Sequence, residues 1–279
     1  MLRQIRESSG SIVFAGLIIS ALALRLLGAY LFPSIHHPDE IFQTLEPAHR
    51  LWTGWGVVSW EWRDGIRSWL FPGFLFLMMH AELIIPSWDA VLLGIAGVLS
   101  ILSLSVVVIG FLLGFHYRGL AGGILAGVAC AVWPDLVYFA PKTLTEVVAA
   151  HVMLVAAYLA HIAVQRPELA SSRYFGLVGL VVGTAFCFRF HVSLALLAIA
   201  VWACRTDWRS RWVPLVLGAA VPVALLALLD FITWGSPFQS VWKNIWVNLV
   251  EGRSHIYGTS PWRRGIGIWK RRSSVGAWR

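Results

Sequence analysis

The sequence predicts an all-α, polytopic integral membrane protein. Hydrophobic residues make up 58% of the 279 residues and charged residues only 13%, against about a quarter in an average soluble domain. Several apolar stretches reach the roughly 20 residues that a helix needs to cross a bilayer. They lack the alternation of membrane β-strands, and a helix satisfies its own backbone hydrogen bonds, so we expect the spans to be helical.

Seven apolar segments are predicted as membrane spans. The first follows Arg3 and Arg6 and lacks an A-x-A cleavage pattern, so it is interpreted as an uncleaved span rather than a signal peptide. The fifth and sixth segments are short, and the alternative is a re-entrant pair that meets near Arg189, which leaves five full crossings. The predicted spans are residues 11–32, 87–114, 119–140, 144–164, 174–190, 191–204 and 212–232.

The net charge of +8 comes from basic residues grouped in short clusters between apolar runs. With a cytoplasmic N-terminus, arginines fall in alternate links, as positive-inside sorting predicts. Membrane topology therefore explains the charge, and no nucleic-acid partner is expected. The three cysteines lack CxxC spacing, so neither a disulfide framework nor a zinc site is indicated. The sorted arginines are Arg118, Arg166, Arg173, Arg205, Arg209 and Arg211.

Three polar regions are predicted on the external or lumenal side: residues 33–86, residues 138–145 and everything after Phe231. In the first, Pro38 is expected to open an amphipathic helix that continues to Trp52 and lies on the membrane surface. Its polar face would carry Gln43. The tryptophans between residues 52 and 69 suggest an interfacial belt, residues 68–85 a buried or re-entrant helix, and residues 235–262 a second interfacial helix.

The strongest local signal is His36-His37-Pro38-Asp39-Glu40, directly after the first span. Ionisable groups at the bilayer edge are costly, and a carboxylate there could act as a general base toward a sugar hydroxyl. The alternative is that the acids only stabilise the positive end of a helix. The pattern alone leaves both interpretations open.

Further charged residues on the same side could bind a sugar or a phosphate. Glu61, Arg63, Asp64 and Arg67 alternate in sign among tryptophans, which suits either sugar binding or an ion-pair network. Lys142 and Arg189, the latter near His191, could bind a lipid-linked phosphate, or could extend toward lipid headgroups. Arg25 lies inside the first span, where no partner is evident from the sequence. No metal site is inferred.

The chain resembles the mannosyltransferases that elongate N-glycan precursors and GPI anchors, glycosyltransferase family 22, which have the GT-C architecture. The similarity corresponds to the N-terminal half of that family. Four stretches carry it, and their order and spacing also match: His37-Pro38-Asp39-Glu40 with Gln43 and Glu46; Trp60-Glu61-Trp62 with Gly65-Ile66-Arg67-Ser68 and Pro72; Pro141-Lys142-Thr143-Leu144-Thr145-Glu146; and Tyr257-Gly258-Thr259-Ser260-Pro261-Trp262.

The resemblance implies an inverting transfer of mannose, or a related hexose, from a polyprenyl-phosphate sugar to a lipid-linked or other glycan acceptor, without a cofactor or a required metal. Asp39 becomes the leading general-base candidate, with Glu40 second. Arg189 is the first candidate for the leaving phosphate and Lys142 the second. The remaining substrate-binding candidates are His37, Glu61, Arg63, Arg67 and His191.

Two features depart from the family pattern. Around Arg189 the chain reads Arg-Phe-His where eukaryotic members tend toward Arg-Pro-Thr, which affects donor recognition. After an incomplete catalytic domain, residues 1–262, a strongly basic tail of residues 263–279 suggests truncation or a frameshift. A transporter or flippase of lipid-linked substrates, or an inactive remnant, is the alternative. The sequence fits a bacterial plasma membrane and an endoplasmic reticulum membrane equally.

Overall fold

The structure is a computed structural model, and it describes residues 10–84 and 86–253. These residues form helices joined by short links, with no strand among them, which confirms the all-α prediction. Within the same ranges, four helical segments are long and apolar enough to cross a membrane: Gly10–Leu31, Trp88–Val132, Thr145–Gln165 and Trp208–Trp234. The predicted Tyr257–Trp262 stretch and the basic tail lie outside the described residues.

Eleven α-helices occur in the described part of the chain. A π-helical turn, Glu40–Leu45, precedes the second helix, and another, Trp246–Val250, follows the last one. The helices are α1 (Gly10–Leu31), α2 (Glu46–Thr53), α3 (Trp60–Arg63), α4 (Leu70–Met79), α5 (Trp88–Val132), α6 (Pro134–Phe139), α7 (Thr145–Gln165), α8 (Ser172–Phe188), α9 (Ser193–Cys204), α10 (Val213–Trp234) and α11 (Gln239–Ile245).

Helix α5 is a hairpin of two limbs rather than one long rod. The backbone leaves the helical region at Arg118 and at Gly119, whose φ of 61° suits a residue without a side chain. Gly114 and Gly122 then lie so close that a Cβ on either would collide with the other's backbone. The second and third predicted spans are therefore these limbs. The predicted end of the third at residue 140 is wrong, because the helix ends at Val132 and Pro134 begins α6.

The side chain of Arg25 donates hydrogen bonds to backbone carbonyls at the C-terminal end of α5. Pro134 has no amide hydrogen, so the carbonyl of Cys130 lacks its usual donor four residues later. The fully buried guanidinium of Arg25 donates instead to the carbonyls of Cys130 (3.3 Å) and Ala131 (3.2 Å). Its positive charge also suits the negative C-terminal end of a helix.

The same side chain joins three helical segments. Besides the end of α5, Arg25 donates to the hydroxyl of Ser103 in the first limb (2.9 Å) and to the carbonyl of Ala21 in α1 (3.0 Å). No sequence pattern indicated these acceptors, which come from three places in the chain. Arg25 is thus a structural cation, and its cost inside the span is offset by four hydrogen bonds.

Helices α8 and α10 pack side by side because glycines remove the side chains between them. A Cβ on Gly179 would collide with the carbonyl of Leu215, and one on Gly183 with the carbonyl of Ala219. Such close approach is typical of small residues at helix contacts in membranes. Because the two series of contacts rise together along the chain, α8 and α10 run parallel.

Helices α8 and α9 both run between the same two ends of the bundle. The start of α8 lies beside the end of α7, since the hydroxyl of Tyr174 donates to the carbonyl of Leu159 at 2.8 Å. The end of α9 packs there too, with Cys204 in a cluster with Ala163. Arg189, between α8 and α9, reaches Glu146 at the opposite end. Helices α8 and α9 therefore each extend between the two ends of the bundle, and the choice between five and seven crossings stays a prediction.

The first external loop differs from the predicted surface helix in one respect. Residues Glu40–Leu45 are π-helical, so the assumed 100° step per residue fails there, and Gln43 is buried rather than on the polar face. The predicted buried helix in 68–85 is confirmed as α4, which packs Leu75 against α2 and α5. Trp62 is also buried, and it stacks near Trp69 instead of joining an interfacial belt.

We expect Arg25→Met to lower the free energy of unfolding by about 2–4 kcal/mol, because each buried carbonyl left without a donor costs roughly 1–3 kcal/mol. Thermal unfolding in detergent micelles measures the change. The matched control is Leu24→Met, a half-exposed neighbour in α1. An Arg25→Met protein as stable as the control would contradict the role assigned to this residue.

We expect Gly179→Ala to separate α8 from α10, because the added Cβ would overpack their contact. The overpacking should lower the free energy of unfolding by roughly 1–3 kcal/mol and the unfolding temperature by several degrees. Gly94→Ala is the control, because a Cβ there meets nothing within 4 Å. The same thermal assay applies. Equal unfolding temperatures for both variants would rule out close α8–α10 packing.

Candidate functional site

The candidate site lies where polar links gather at one end of the bundle. Residues 33–69, residues 140–146, the Arg189–Val192 link and helix α11 all meet there. The other end carries the arginines of alternate links, which gives the charge asymmetry that the sequence predicted. The predicted charged residues are thereby brought together from distant parts of the chain.

Glu40 ties the first loop to the 140–146 link. It is 3% exposed, and its two carboxylate oxygens accept the backbone N–H groups of His36 (2.5 Å) and Thr143 (3.3 Å). Its own carbonyl accepts the hydroxyl of Thr44 at 2.7 Å. Both carboxylate oxygens are therefore engaged in holding backbone, which leaves Glu40 poorly placed to accept a substrate proton.

Asp39 is the more accessible of the two acids. Its side chain is 36% exposed and lies 3.4 Å from Nδ1 of the exposed His37. That nitrogen also accepts the backbone N–H of Asp39 at 3.2 Å. The Asp39 carboxylate therefore lies at the surface with one imidazole beside it.

Two arginines point toward the site, and each is paired with a glutamate. Arg67 donates to Glu61 at 2.6 Å, and Gln43 donates to the same oxygen at 3.4 Å. Arg189 contacts Glu146 at 2.6 Å. Each pair leaves further guanidinium N–H groups for another partner, because arginine has five donors.

One of those donors is buried and without a partner. The Nε of Arg67 is shielded from solvent and makes no hydrogen bond within residues 10–84 and 86–253. Buried N–H groups of protein are almost always bonded, so an orphaned one calls for an explanation. The same guanidinium lines the adjoining recess, where a ligand would meet its other N–H groups.

The charges of the site act on Arg189 together. Burial in the link between α8 and α9 lowers the pKa of its guanidinium, which Glu146 raises and Arg67 lowers. Asp39 also raises this pKa, as does Glu61, so both carboxylates lie within electrostatic range of the arginine. The pKa of His191 in the same link is lowered by burial first and by Arg189 next, which favours a neutral imidazole.

A recess opens beside the two arginines. Its polar wall includes Gln43, Ser68, Thr145 and Asn244 besides Arg67 and Arg189. Its apolar wall comes from α4, α8, α10, α11 and the links beside them, and it includes four phenylalanines. Asp39 lies outside the lining. The apolar lining residues are Ile66, Leu70, Phe71, Pro72, Phe186, Cys187, Phe188, Phe190, Leu226 and Val241.

Five predicted substrate-binding residues are absent from the recess lining, although Glu61 contacts Arg67 and His191 lies in the same link as Arg189. Lys142 is 5% exposed, donates to both the carbonyl and the hydroxyl of Ser34, and lies over the ring of Tyr138. Arg63 is exposed and is absent from the lining, as is His37. Lys142 therefore fastens the loop after α1 and has no contact with the recess.

Several residues at the site were not predicted. Glu146 belongs to one of the stretches that carry the family resemblance, but only its contact with Arg189 indicates a role at the site. Gln43 was placed on the polar face because a regular α-helix was assumed, and the π-helical turn buries it instead. Asn244 belonged to a helix interpreted as interfacial; its exposed face is apolar, but Asn244 points inward and donates to the carbonyl of Ile66 at 3.2 Å. Within the described ranges, no group of three or more His, Cys, Asp or Glu residues could hold a metal ion.

The family comparison covers most of the chain. A family model described as the Alg9-like mannosyltransferase family matches residues 17–263. The chain belongs to this family. The match includes both arginines, both acids of the first loop and helix α11. No solved structure matches the chain.

Individual relatives are named GPI mannosyltransferases. The chain is 27% identical over 271 residues to "GPI mannosyltransferase 3" of Yarrowia lipolytica, covering 93% of this chain and 51% of the relative. It is 41% identical over 70 residues to "GPI alpha-1,2-mannosyltransferase 3" of Danio rerio, covering 25% of this chain and 13% of the relative. The chain thus spans about half the length of the Yarrowia relative.

We expect Glu40→Gln to destabilise the fold and Asp39→Asn to leave it unchanged. The amide introduced by Glu40→Gln offers only one acceptor oxygen where two backbone N–H groups need acceptors, so the expected loss is about 1–3 kcal/mol. Thermal unfolding of the two variants in the same micelles is the measurement. A larger loss for Asp39→Asn than for Glu40→Gln would reverse the roles described for the two acids.

Proposed function

We propose that this chain transfers mannose from a polyprenyl-phosphate-linked donor to a hydroxyl of a glycolipid or glycan acceptor. Family membership supports mannosyl transfer. The names of the relatives favour an acceptor of the GPI type, a glycan carried on a lipid. Both substrates then carry lipid, which suits a site at the end of a membrane bundle.

The lining of one recess by both Arg67 and Arg189 is the observation that carries the donor site. A phosphate in the recess would accept N–H groups from both guanidinium groups. Arginine binds phosphate with two parallel, charge-assisted hydrogen bonds, which are stronger than neutral ones. Glu61 and Glu146 hold the two guanidinium groups in place before the ligand arrives, so little reorganisation is needed.

The apolar wall of the recess suits the lipid chain of the donor. Phe71, Phe188 and Leu226 line the recess together with the two arginines. Phe188 ends α8, and Leu226 lies within α10. The first isoprene units of a polyprenyl chain would contact these side chains while the phosphate stays at the polar rim. The remaining units would continue into the bilayer.

In the proposed reaction, Asp39 removes the proton of the attacking acceptor hydroxyl. The hydroxyl oxygen forms a bond to C1 of mannose as the bond from C1 to the donor phosphate breaks. The bonding electrons pass to the phosphate oxygen, whose charge Arg67 and Arg189 stabilise. The proton ends on Asp39, and a single displacement inverts the configuration at C1. The exposure of the Asp39 carboxylate favours it over the backbone-bound Glu40.

The sidedness of the site follows from the charge of the opposite end. The arginine-bearing links are expected on the cytoplasmic side. The recess, Asp39 and the two paired arginines would therefore face the external or lumenal side.

We expect Asp39→Asn to reduce kcat for mannose transfer by about 10²- to 10⁴-fold, the usual range for removing a general base. The donor KM should change little, because Asp39 lies outside the recess. The assay is transfer of radiolabelled mannose from polyprenyl-phosphate mannose to glycolipid in reconstituted vesicles.

Asp135→Asn is the matched control, since Asp135 is another exposed acid on the same end of the bundle, and within the described residues its side chain bonds to Trp133 at 3.2 Å. Its kcat should equal that of the unchanged protein. Full activity in Asp39→Asn would exclude this base, and no transfer by the unchanged chain would contradict the proposed function.

A further inference from the structure

A buried carboxylate lies next to the recess but outside the proposed chemistry. Asp230, near the end of α10, is fully buried, and no cation pairs with it in the described part of the chain. An unpaired buried carboxylate is costly, so its other bonds must compensate. An acid within an apolar run is a visible signal in the sequence.

The bonds of Asp230 fix a sharp corner between two helices. Its Oδ2 accepts the backbone N–H of Ser240 at 2.9 Å and the hydroxyl of Ser240 at 2.6 Å. Ser240 lies in the first turn of α11. Between the helices, Gly235 has a φ of 82° and Phe238 a φ of 56°, a conformation that is unfavourable for a residue with a side chain. The carboxylate holds this strained link in place.

The corner in turn holds the backbone that carries Arg67. Trp234, at the end of α10, donates its indole N–H to the carbonyl of Arg67 at 3.0 Å. Asn244 of α11 donates to the carbonyl of Ile66 at 3.2 Å. Gly65 completes the contact with a φ of 65°, and a Cβ there would lie 2.6 Å from the side chain of Gln239. Two consecutive carbonyls, those of residues 66 and 67, are therefore anchored from one corner.

We propose that Asp230 is a positioning residue that aims the Arg67 guanidinium into the recess. It acts through Ser240 and α11 on the backbone of residues 65–67, and it touches no substrate. This role rests on the proposed function only in what Arg67 binds; the mechanical coupling of the corner to the Arg67 backbone stands independently of it.

The coupling is tested first without any substrate, by the rate at which trypsin cleaves after Arg67 in detergent. In Asp230→Asn an amide replaces the carboxylate, which weakens the bonds to Ser240 and places an N–H where Oδ1 has no partner. We expect cleavage after Arg67 to be about tenfold faster, because proteolysis follows the population of the open form. Cleavage after Arg173, at the opposite end, should be unchanged.

Two further variants keep this test sharp. Ser240→Ala removes only the hydroxyl bond and should give a smaller increase in the same direction. Thr233→Val is the control, because among the described residues its exposed hydroxyl bonds to the carbonyl of Leu229 within α10. Unchanged cleavage after Arg67 in Asp230→Asn, or equal acceleration at Arg173, would overturn the proposal.

The second experiment tests whether Asp230 affects the use of the donor substrate. In the mannose-transfer assay, Asp230→Asn should raise the donor KM about tenfold and lower kcat as well, because Arg67 both binds the donor phosphate and stabilises its leaving charge. In an Arg67→Gln background, Asp230→Asn should change neither constant further. Additive effects of the two substitutions would overturn the positioning role. Absence of transfer by the unchanged chain would contradict the proposed function, while the trypsin result still decides the coupling.

Discussion

The whole arrangement depends on one constraint: a backbone carbonyl inside a bilayer bundle must find a donor within the protein. Pro134 ends the second limb of α5 and leaves carbonyls without partners, and the guanidinium of Arg25 supplies the missing N–H groups. Because the limb can end there, the chain turns through α6 into the 140–146 link. That link carries the amide that binds Glu40 and the carboxylate that binds Arg189. A cation deep in the first helix thus makes the polar end of the bundle possible.

At that end, most charged groups are held by backbone or by one another, and the exceptions indicate the chemistry. Glu40 and Lys142 fasten loops, and Asp64 pairs with Arg253. Asp39 keeps an accessible carboxylate, and Arg67 keeps an unsatisfied N–H beside the recess. A base on one side and phosphate donors on the other are the two requirements of a displacement at a sugar phosphate. The proposed transfer uses the groups that the fold leaves free.

The sequence predicted what depends on local composition. Hydropathy predicted the helical segments, and the arginines in alternate links predicted which links share one end of the bundle. Interactions between distant residues were not predictable in this way: the acceptors of Arg25 include Ser103 and Ala131, which lie 78 and 106 residues away. The π-helical turn shifted Gln43 from the solvent face to the site, which a helical wheel does not anticipate. Lys142 was a phosphate-binding candidate because of its charge and position, but its ammonium group donates its hydrogen bonds to Ser34.

The central claim is that Arg67 and Arg189 form a site for a lipid-linked phosphate. The most direct measurement is equilibrium binding of polyprenyl phosphate, compared with the uncharged polyprenol of equal length, to the full chain in detergent. The account predicts at least about tenfold tighter binding of the phosphate, or about 1.4 kcal/mol, and loss of that difference in Arg67→Gln and in Arg189→Gln. Equal affinity for the two lipids in the unchanged protein would contradict it.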